Sequence, residues 1–380
     1  MYPRVNSENM RDDRSEDEEG KSPWLRLPFF LLLWIGLLDL PHHIASVGND
    51  TSWQRCLGYF LTHRFQCGVD YIWTYGPLGY FVNMVYDADL FWWKYAWELG
   101  VKFAFTWILW RWSRALRARW MRVMFLGLAL YFLAGSVDTL YLICLVFMGL
   151  LPLRDAGCRA SSRLLAGTIL LAILSLTKFT FLLVGVGAWS VVLCAPGLTW
   201  RTRLLVAMGY PLSLVLVWTL LGQSLAHLPR FVSSSLEVAR GYGEAMAKEG
   251  RIEPVYLGLA AGLCFLLFAT VRPFSVLRRR ENLLGIALLC AGTFMVWKHG
   301  FIRQDSHTAY FFGFLVVVPF AAEGLLGGPK TMPIRVLLLA TTIVLGIVGR
   351  GIPLPIPWAS HLLTNGIFAL APLASLDFSR

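Results

Sequence analysis

Charge is thin in this chain. Asp and Glu number 23 against 34 Lys and Arg, and together they fill 15% of 380 positions, where a soluble domain would carry about 25%. That shortage excludes an ordinary soluble globular protein. The seven cysteines (Cys56, Cys67, Cys144, Cys158, Cys194, Cys264 and Cys290) have no CxxC or metal-ligand spacing, which removes a zinc ribbon or a dithiol redox motif. No P-loop, HExxH, GxSxG or dinucleotide fingerprint occurs, so a cytoplasmic nucleotide-driven enzyme is disfavoured. There is no visible internal repeat, which weighs against transporter folds built from inverted repeats.

Apolar mass takes the place of charge. Hydrophobic residues make up 57% of the chain, with 16 Trp and 25 Phe, a composition suited to aromatic belts at two membrane interfaces. Many apolar runs approach or exceed the ~18 residues of a membrane-spanning helix. The expected fold is all-α, a polytopic transmembrane bundle of about eleven spans. These lie near 27–47, 90–111, 122–136, 139–153, 164–177, 179–195, 204–222, 255–271, 283–297, 309–326 and 335–349. The pairs 122–136/139–153 and 164–177/179–195 are each short enough to be one long or re-entrant hairpin instead.

The net charge of +11 is explained by orientation rather than by a nucleic-acid partner. With the N-terminus cytoplasmic, Arg111, Arg114, Arg117, Arg119 and Arg122, then Arg154, Arg159 and Arg163, then Arg272, Arg278, Arg279 and Arg280 all fall in cytoplasmic loops, as the positive-inside rule requires. Asp50, Asp70, Asp87, Asp89, Asp138, Glu237, Glu244, Glu249, Glu253 and Asp305 gather on the opposite face. Residues 1–23, with both charge signs and few large apolar groups, read as a disordered cytoplasmic tail. The bundle occupies 24–350, and 351–380 forms an external C-terminal tail. The run LPFFLLLWIGLLDL is read as a retained first span, because its lead is long and acidic and no cleavage site follows.

Two external segments, 48–89 and 223–254, are longer than a connection needs, and such loops tend to carry function. The second has room for an amphipathic helix lying on the membrane. The first holds DYIWTYGPLGYF, Asp70 to Phe81. Gly76-Pro77-Leu78-Gly79 sets a turn, while Trp73, Tyr75 and Tyr80 form an aromatic wall suited to a sugar ring. Cys56 and Cys67 share this loop and would pair in an oxidising compartment. Ionisable groups at span ends carry the most information, since burying them is expensive. Lys178, in LTKF, either snorkels to the interface or serves a site. Lys298, His299, Arg303, Gln304, Asp305 and His307 crowd one external turn, and such a mixture suits a phosphate-bearing ligand. His299, Asp305 and His307 would alternatively ligate a metal, although their spacing requires none. Asp138, in GSVDT, reads as a cap for the next helix.

An acid just after the first span, about twenty residues, a G-x-D unit and a Pro-Leu turn into the second span resemble the first external loop of the GT-C superfamily of integral-membrane glycosyltransferases. The likeness is to its protein-mannosyltransferase-like and aminoarabinose-transferase-like branch. Asp50 falls at the first acid position, Asp70 at the second and Pro77-Leu78 at the turn; LSLTKFTFLL around Lys178 is similar to a mid-chain feature of that branch. GND-T carries one acid where the family has a pair, and Gly-Pro-Leu stands for Pro-Pro-Leu. The resemblance implies a polyprenyl-phosphate-linked sugar donor and an acceptor meeting on the periplasmic or exterior face of a bacterial inner or plasma membrane. Asp50 or Asp70 would be the catalytic carboxylate, and Trp73, Tyr75, Lys178, Lys298, His299, Arg303, Asp305 and His307 would bind substrate. A divalent cation is compatible with the layout but not required by it. A transporter or flippase for a lipid-linked or anionic solute, and a non-catalytic membrane protein, are the alternative readings.

Overall fold

The structure is a computed structural model that describes residues 23–40, 49–154, 161–327 and 333–351, with backbone alone at 23–26 and 49–51. The expected tails, 1–23 and 351–380, lie outside these residues except for Pro23 and Gly351. Among the described residues the regular structure is helical, with three isolated one-residue bridges in place of strands. The helices are α1 Pro23–Leu37, α2 Asn49–Thr62, α3 Phe91–Ser113, α4 Arg119–Leu133, α5 Val137–Arg154, α6 Ser161–Ser175 and α7 Phe179–Cys194. They continue with α8 Trp200–Leu220, α9 Leu228–Ala245, α10 Glu253–Thr270, α11 Phe274–Leu277, α12 Arg280–Phe301, α13 Thr308–Leu326 and α14 Pro333–Arg350.

Each of the eleven apolar runs is met by a helix, and the remaining three (α2, α9, α11) lie between runs. Among the described residues, six helices are long and apolar enough to cross a membrane: α5, α8, α10, α12, α13 and α14. The paired runs are broken rather than continuous. A turn at Ala134–Ser136, with Gly135 at φ +69°, separates α4 from α5, and Leu176–Lys178 separates α6 from α7. The first helix ends at Leu37, short of the expected 47, so Asp50 opens the separate helix α2 instead of closing the first span.

Sequence character sets each helix's place. α13, TAYFFGFLVVVPFAAEGLL, is apolar on every side, as a helix enclosed by others must be, and 83% of its hydrophobic window is buried. The same share holds for α5, whereas in α8 it is 17% and in α14 28%. The centre is therefore α5 and α13, with α7 and α12 packed beside them. α1, α3 and α4 flank this core on one side; α6 and α8 pair on another, and α10 and α14 on a third.

At one end of the bundle lie the starts of α5, α7 and α13 and the ends of α6 and α12. The long segments collect there, as residues 49–89 and 223–254 show. Amphipathic α9 buries Phe231 against Trp218, their rings 5.5 Å apart. Gln66 and Gln223 then tie the two segments together: the Gln223 carbonyl accepts from Cys67 N (2.8 Å), its amide donates to Phe65 O (2.9 Å), and Ser224 N donates to Gln66 Oε1 (2.7 Å). Cys56 and Cys67 are both free thiols. Cys67 turns inward to the Tyr71 hydroxyl, while Cys56 lies exposed on α2, and burial pushes the Cys67 thiol up to about 12.

Candidate functional site at the end of α5, α7, α12 and α13

The turn-forming loop is bonded into the bundle. Where α6 stops and α7 begins, the carbonyls of Leu176 and Thr177 and the amide of Phe179 fall outside the helical ladders, and buried groups of that kind must find other partners. The loop supplies them. Gly76 N donates to Thr177 O (3.1 Å), Leu78 N to Leu176 O (3.1 Å), and Phe179 N to Thr74 O (2.7 Å), which sets Tyr75 opposite Lys178 in an antiparallel bridge. The approach needs glycine, because a Cβ on Gly76 would run into the Leu176 carbonyl oxygen.

The bridge delivers Lys178 to an acid from another helix. Its ammonium lies 2.8 Å from Asp138 Oδ2, in the first turn of α5, and 5.1 Å from the centre of the Tyr75 ring. His299 Nε2, in the last turn of α12, lies 3.0 Å from the same Asp138 oxygen. One carboxylate thus takes a lysine from the α6–α7 break and an imidazole from α12. Burial works against the Lys178 charge, but Asp138 outweighs it and raises the ammonium above its ordinary value. Burial likewise pushes the Tyr75 hydroxyl up to about 12, against the pull of Lys178.

A second acid continues the polar strip. Tyr310 stacks on His299, with centroids 5.3 Å apart, and meets His307 edge-on at 5.5 Å. Asp305 accepts from Arg303 (3.1 Å), from the His307 amide (3.1 Å), and pairs with His307 Nδ1 (2.5 Å). Burial opposes the Asp305 charge, yet the His307 hydrogen bonds and the Arg303 guanidinium hold its carboxyl at about 2. The second long segment is stapled here as the first is to α7: Lys248 N donates to Ile302 O (3.2 Å) and Gln304 N to Lys248 O (3.0 Å). Gly250 permits it, since a Cβ there would strike the Gln304 carbonyl.

Six of the expected residues therefore share one strip: Tyr75, Lys178, His299, Arg303, Asp305 and His307. Trp73 sits at its rim, nearly half exposed and 6.4 Å from Trp53. Lys298 is not part of it. One residue along α12 is a turn of about 100°, so Lys298 is exposed while its neighbour His299 reaches Asp138. Asp70 is exposed and engaged with its own turn, accepting from Gln66 N at 2.7 Å. The Asp50 side chain lies outside the described residues. His299 and His307 address different carboxylates, and among the described residues no group of three metal-ligating side chains is set to hold an ion.

Two features escaped sequence reasoning. Asp138 is the node of the strip and not merely a helix cap; the signal was a lone acid between apolar runs, level with Lys178. The other is a ladder inside α3. Lys94, Glu98 and Lys102 are each 1% exposed and recur at i, i+4 and i+8, one helical face. Glu98 lies 2.6 Å from Lys94 and 3.7 Å from Lys102, and it accepts from Asp39 N at 3.1 Å. Lys94 also donates to Phe81 O (2.5 Å), so the ladder fixes the chain leaving α1 and the turn entering α3. K-x3-E-x3-K in an apolar run was its signature.

Chemically, the strip offers carboxylates that accept protons, ammonium and guanidinium groups that neutralise an anion, and aromatic faces for an apolar or sugar surface. Compared with protein-family models, with curated proteins and with solved structures, the chain matches none of them.

Proposed function

We propose that the chain is a membrane glycosyltransferase of GT-C-like build, moving a sugar from a polyprenyl-phosphate-linked donor to an acceptor on the outer face of a plasma or bacterial inner membrane. The bundle would cross the membrane about eleven times, with its N-terminus cytoplasmic. One observation carries this reading: the Trp73–Gly79 loop, the Lys178 break and the α12–α13 turn, three segments far apart in the chain, meet at the Asp138 strip. A lipid-borne phosphate would arrive at this depth. Lys178 and Arg303 would balance the charge that develops on the leaving phosphate, and Trp73, Tyr75 and Trp53 would line the sugar.

In the transfer, an acceptor hydroxyl oxygen bonds to the anomeric carbon as the anomeric carbon–oxygen bond to phosphate breaks. The electron pair leaves with the polyprenyl phosphate, and the hydroxyl proton goes to Asp50, the general base. Asp70 would hold the loop that presents Tyr75. The test is release of free polyprenyl phosphate when purified protein is given polyprenyl-phosphate sugars. Asp50→Asn should keep donor binding and lower turnover by ~10²–10⁴-fold, the usual scale of general acid–base catalysis. Unchanged turnover would remove Asp50 from that role.

A second reading, a transporter or flippase, draws on the Lys94–Glu98–Lys102 ladder, because ionisable groups inside a membrane helix often mark a transport path. Glu98→Gln would then abolish lipid or solute transfer across proteoliposomes while leaving polyprenyl phosphate release untouched.

A further inference from the structure

The His299 ring is held at one nitrogen and open at the other. Its Nε2 lies 3.0 Å from Asp138 Oδ2, and the Tyr310 ring stacks on it at 5.3 Å. A carboxylate accepts hydrogen bonds and gives none. In the neutral ring, then, Nε2 carries the proton and Nδ1 is a bare lone pair. Among the described residues Nδ1 has no hydrogen-bond partner, yet it is not one of the buried polar atoms shut away from their surroundings. An incoming group can reach it.

The charges facing this ring are mostly matched. Asp138 of α5 and Lys178 of the α6–α7 break pair at 2.8 Å; Arg303 and Asp305, in the α12–α13 turn, pair at 3.1 Å. His307 pairs with Asp305, and its ring lies 6.3 Å from that of His299. Tyr75 faces Lys178 from the first loop, and Lys248 approaches Asp305 from the second at 3.8 Å, largely exposed to water. Arg350, ending α14, acts on Tyr310, and Lys298 is exposed on the other side of α12. Lys178 and Arg303 thus each already answer a carboxylate. An anion entering at Nδ1 sets the imidazole between two negative groups, which favours its charged form.

We propose that His299 binds the donor's phosphate as an imidazolium, taking one proton from solvent as the anion arrives. Nε2–H then donates to Asp138 and Nδ1–H to a phosphate oxygen, a pair of charge-assisted hydrogen bonds. Asp138 is the positioning residue, since it fixes which nitrogen is left for the ligand. This role rests on the phosphate-linked donor proposed above but needs no transfer of its sugar. Because a proton enters with the ligand, affinity falls as the pH rises.

Calorimetric titration of the detergent-solubilised full chain with a citronellyl phosphodiester of glucose, in buffers of differing ionisation enthalpy, tests it. That probe is a single anion throughout the neutral range, so any proton taken up goes to the protein. The wild type should take up about one proton per bound probe. Its affinity should fall by up to about ten-fold per pH unit above the ordinary histidine range of ~6.5. His299→Gln, whose amide can still donate to Asp138, should bind about ten-fold more weakly, with neither proton uptake nor that pH dependence. His307→Gln and Lys298→Gln should keep both. Nitrogen NMR of the wild type with ring-labelled histidine is independent of how any variant folds: one histidine should pass from the Nε2–H form to the imidazolium on binding. Binding without proton uptake, uptake that survives His299→Gln, or its loss in His307→Gln instead would overturn the role of His299 and leave the donor reading standing. No binding of the probe by the wild type would overturn both.

Discussion

Two carboxylates near opposite ends of the bundle each take two basic side chains, and their surroundings differ. Glu323, near the end of α13, takes Arg272 at 3.2 Å and Arg335 at 2.5 Å. Both guanidiniums are also spent on backbone: Arg272 donates to Phe268 O and Gly327 O, and Arg335 to Gly327 O. Those carbonyls end α10 and α13, so the clasp closes helix ends that would otherwise be unsatisfied. Asp138 takes Lys178 and His299 instead, beside the rings of Tyr75 and Tyr310 and two long loops. Arginine has a fixed fork and a permanent charge, whereas lysine is a mobile point charge and histidine titrates near neutrality. Two basic partners thus make a fastener at one end and a chemically adaptable centre at the other.

The sharpest way to break this comparison is Glu323→Gln. It leaves two guanidiniums facing one another, and loss of one partner from a buried pair costs about 3–5 kcal/mol. Thermal unfolding in detergent should show a large drop, with α10 and α14 the first segments open to protease. Lys178→Met should cost less, about 2–3 kcal/mol, because Asp138 keeps His299 as a partner and is partly accessible to water. Adding Asp138→Asn to it should recover part of the loss, while adding Glu323→Gln should be additive, as expected of distant sites. An additive result for the Asp138 pair would dissolve the centre as a unit.

Gly76→Ala should cost about 1–2 kcal/mol, since the methyl group must push the loop off Leu176. Hydrogen exchange would reveal it as faster opening at the amides of Gly76 and Leu78, with the Glu323 end unchanged. The smallest effect expected is from pH. Asp305 sits below its ordinary value, at about 2, so its contribution is complete above about pH 4 and disappears as the pH falls through about 2. A partly buried pair of this kind is worth about 1 kcal/mol, and Asp305→Asn should remove about that much of the acid-range slope.

Helix positions were legible because an apolar run is a local signal: all eleven runs became helices, and the Gly-Pro-Leu-Gly turn came out as a turn. Which of them cross a membrane is a stricter matter of length, and α4, α6 and α7 are short. The partners within the centre were not legible. Lys178, at the α6–α7 break, and His299, on α12, meet one oxygen of Asp138 on α5, a fact set by packing rather than spacing. Lys298 and His299 show the limit from the other side: adjacent in sequence and alike in charge class, they part because a helix turns between them. Asp70 accepts from Gln66 N within its own turn, a contact that composition and spacing did not announce. The α3 ladder is hidden in the sequence because its three charges fall inside an apolar run, where mutual pairing lets them stay.

The burial of α5 and α13 has a consequence for how the protein is made. Both are enclosed by other helices, and each covers part of the other, yet α5 is synthesised long before α13. At ~5–20 residues per second, the stretch from Arg154 to Thr308 takes on the order of ten to thirty seconds to emerge. Through that interval α5 must enter the bilayer with the faces later covered by α12 and α13 turned to lipid or to an insertion chaperone, and with Asp138 lacking His299. Its own turn offers help, since Ser136 and Thr139 hydrogen bond to each other at 2.9 Å, and Lys178 arrives within the next two helices. The nascent chain can therefore neutralise its acid early and wait for its histidine.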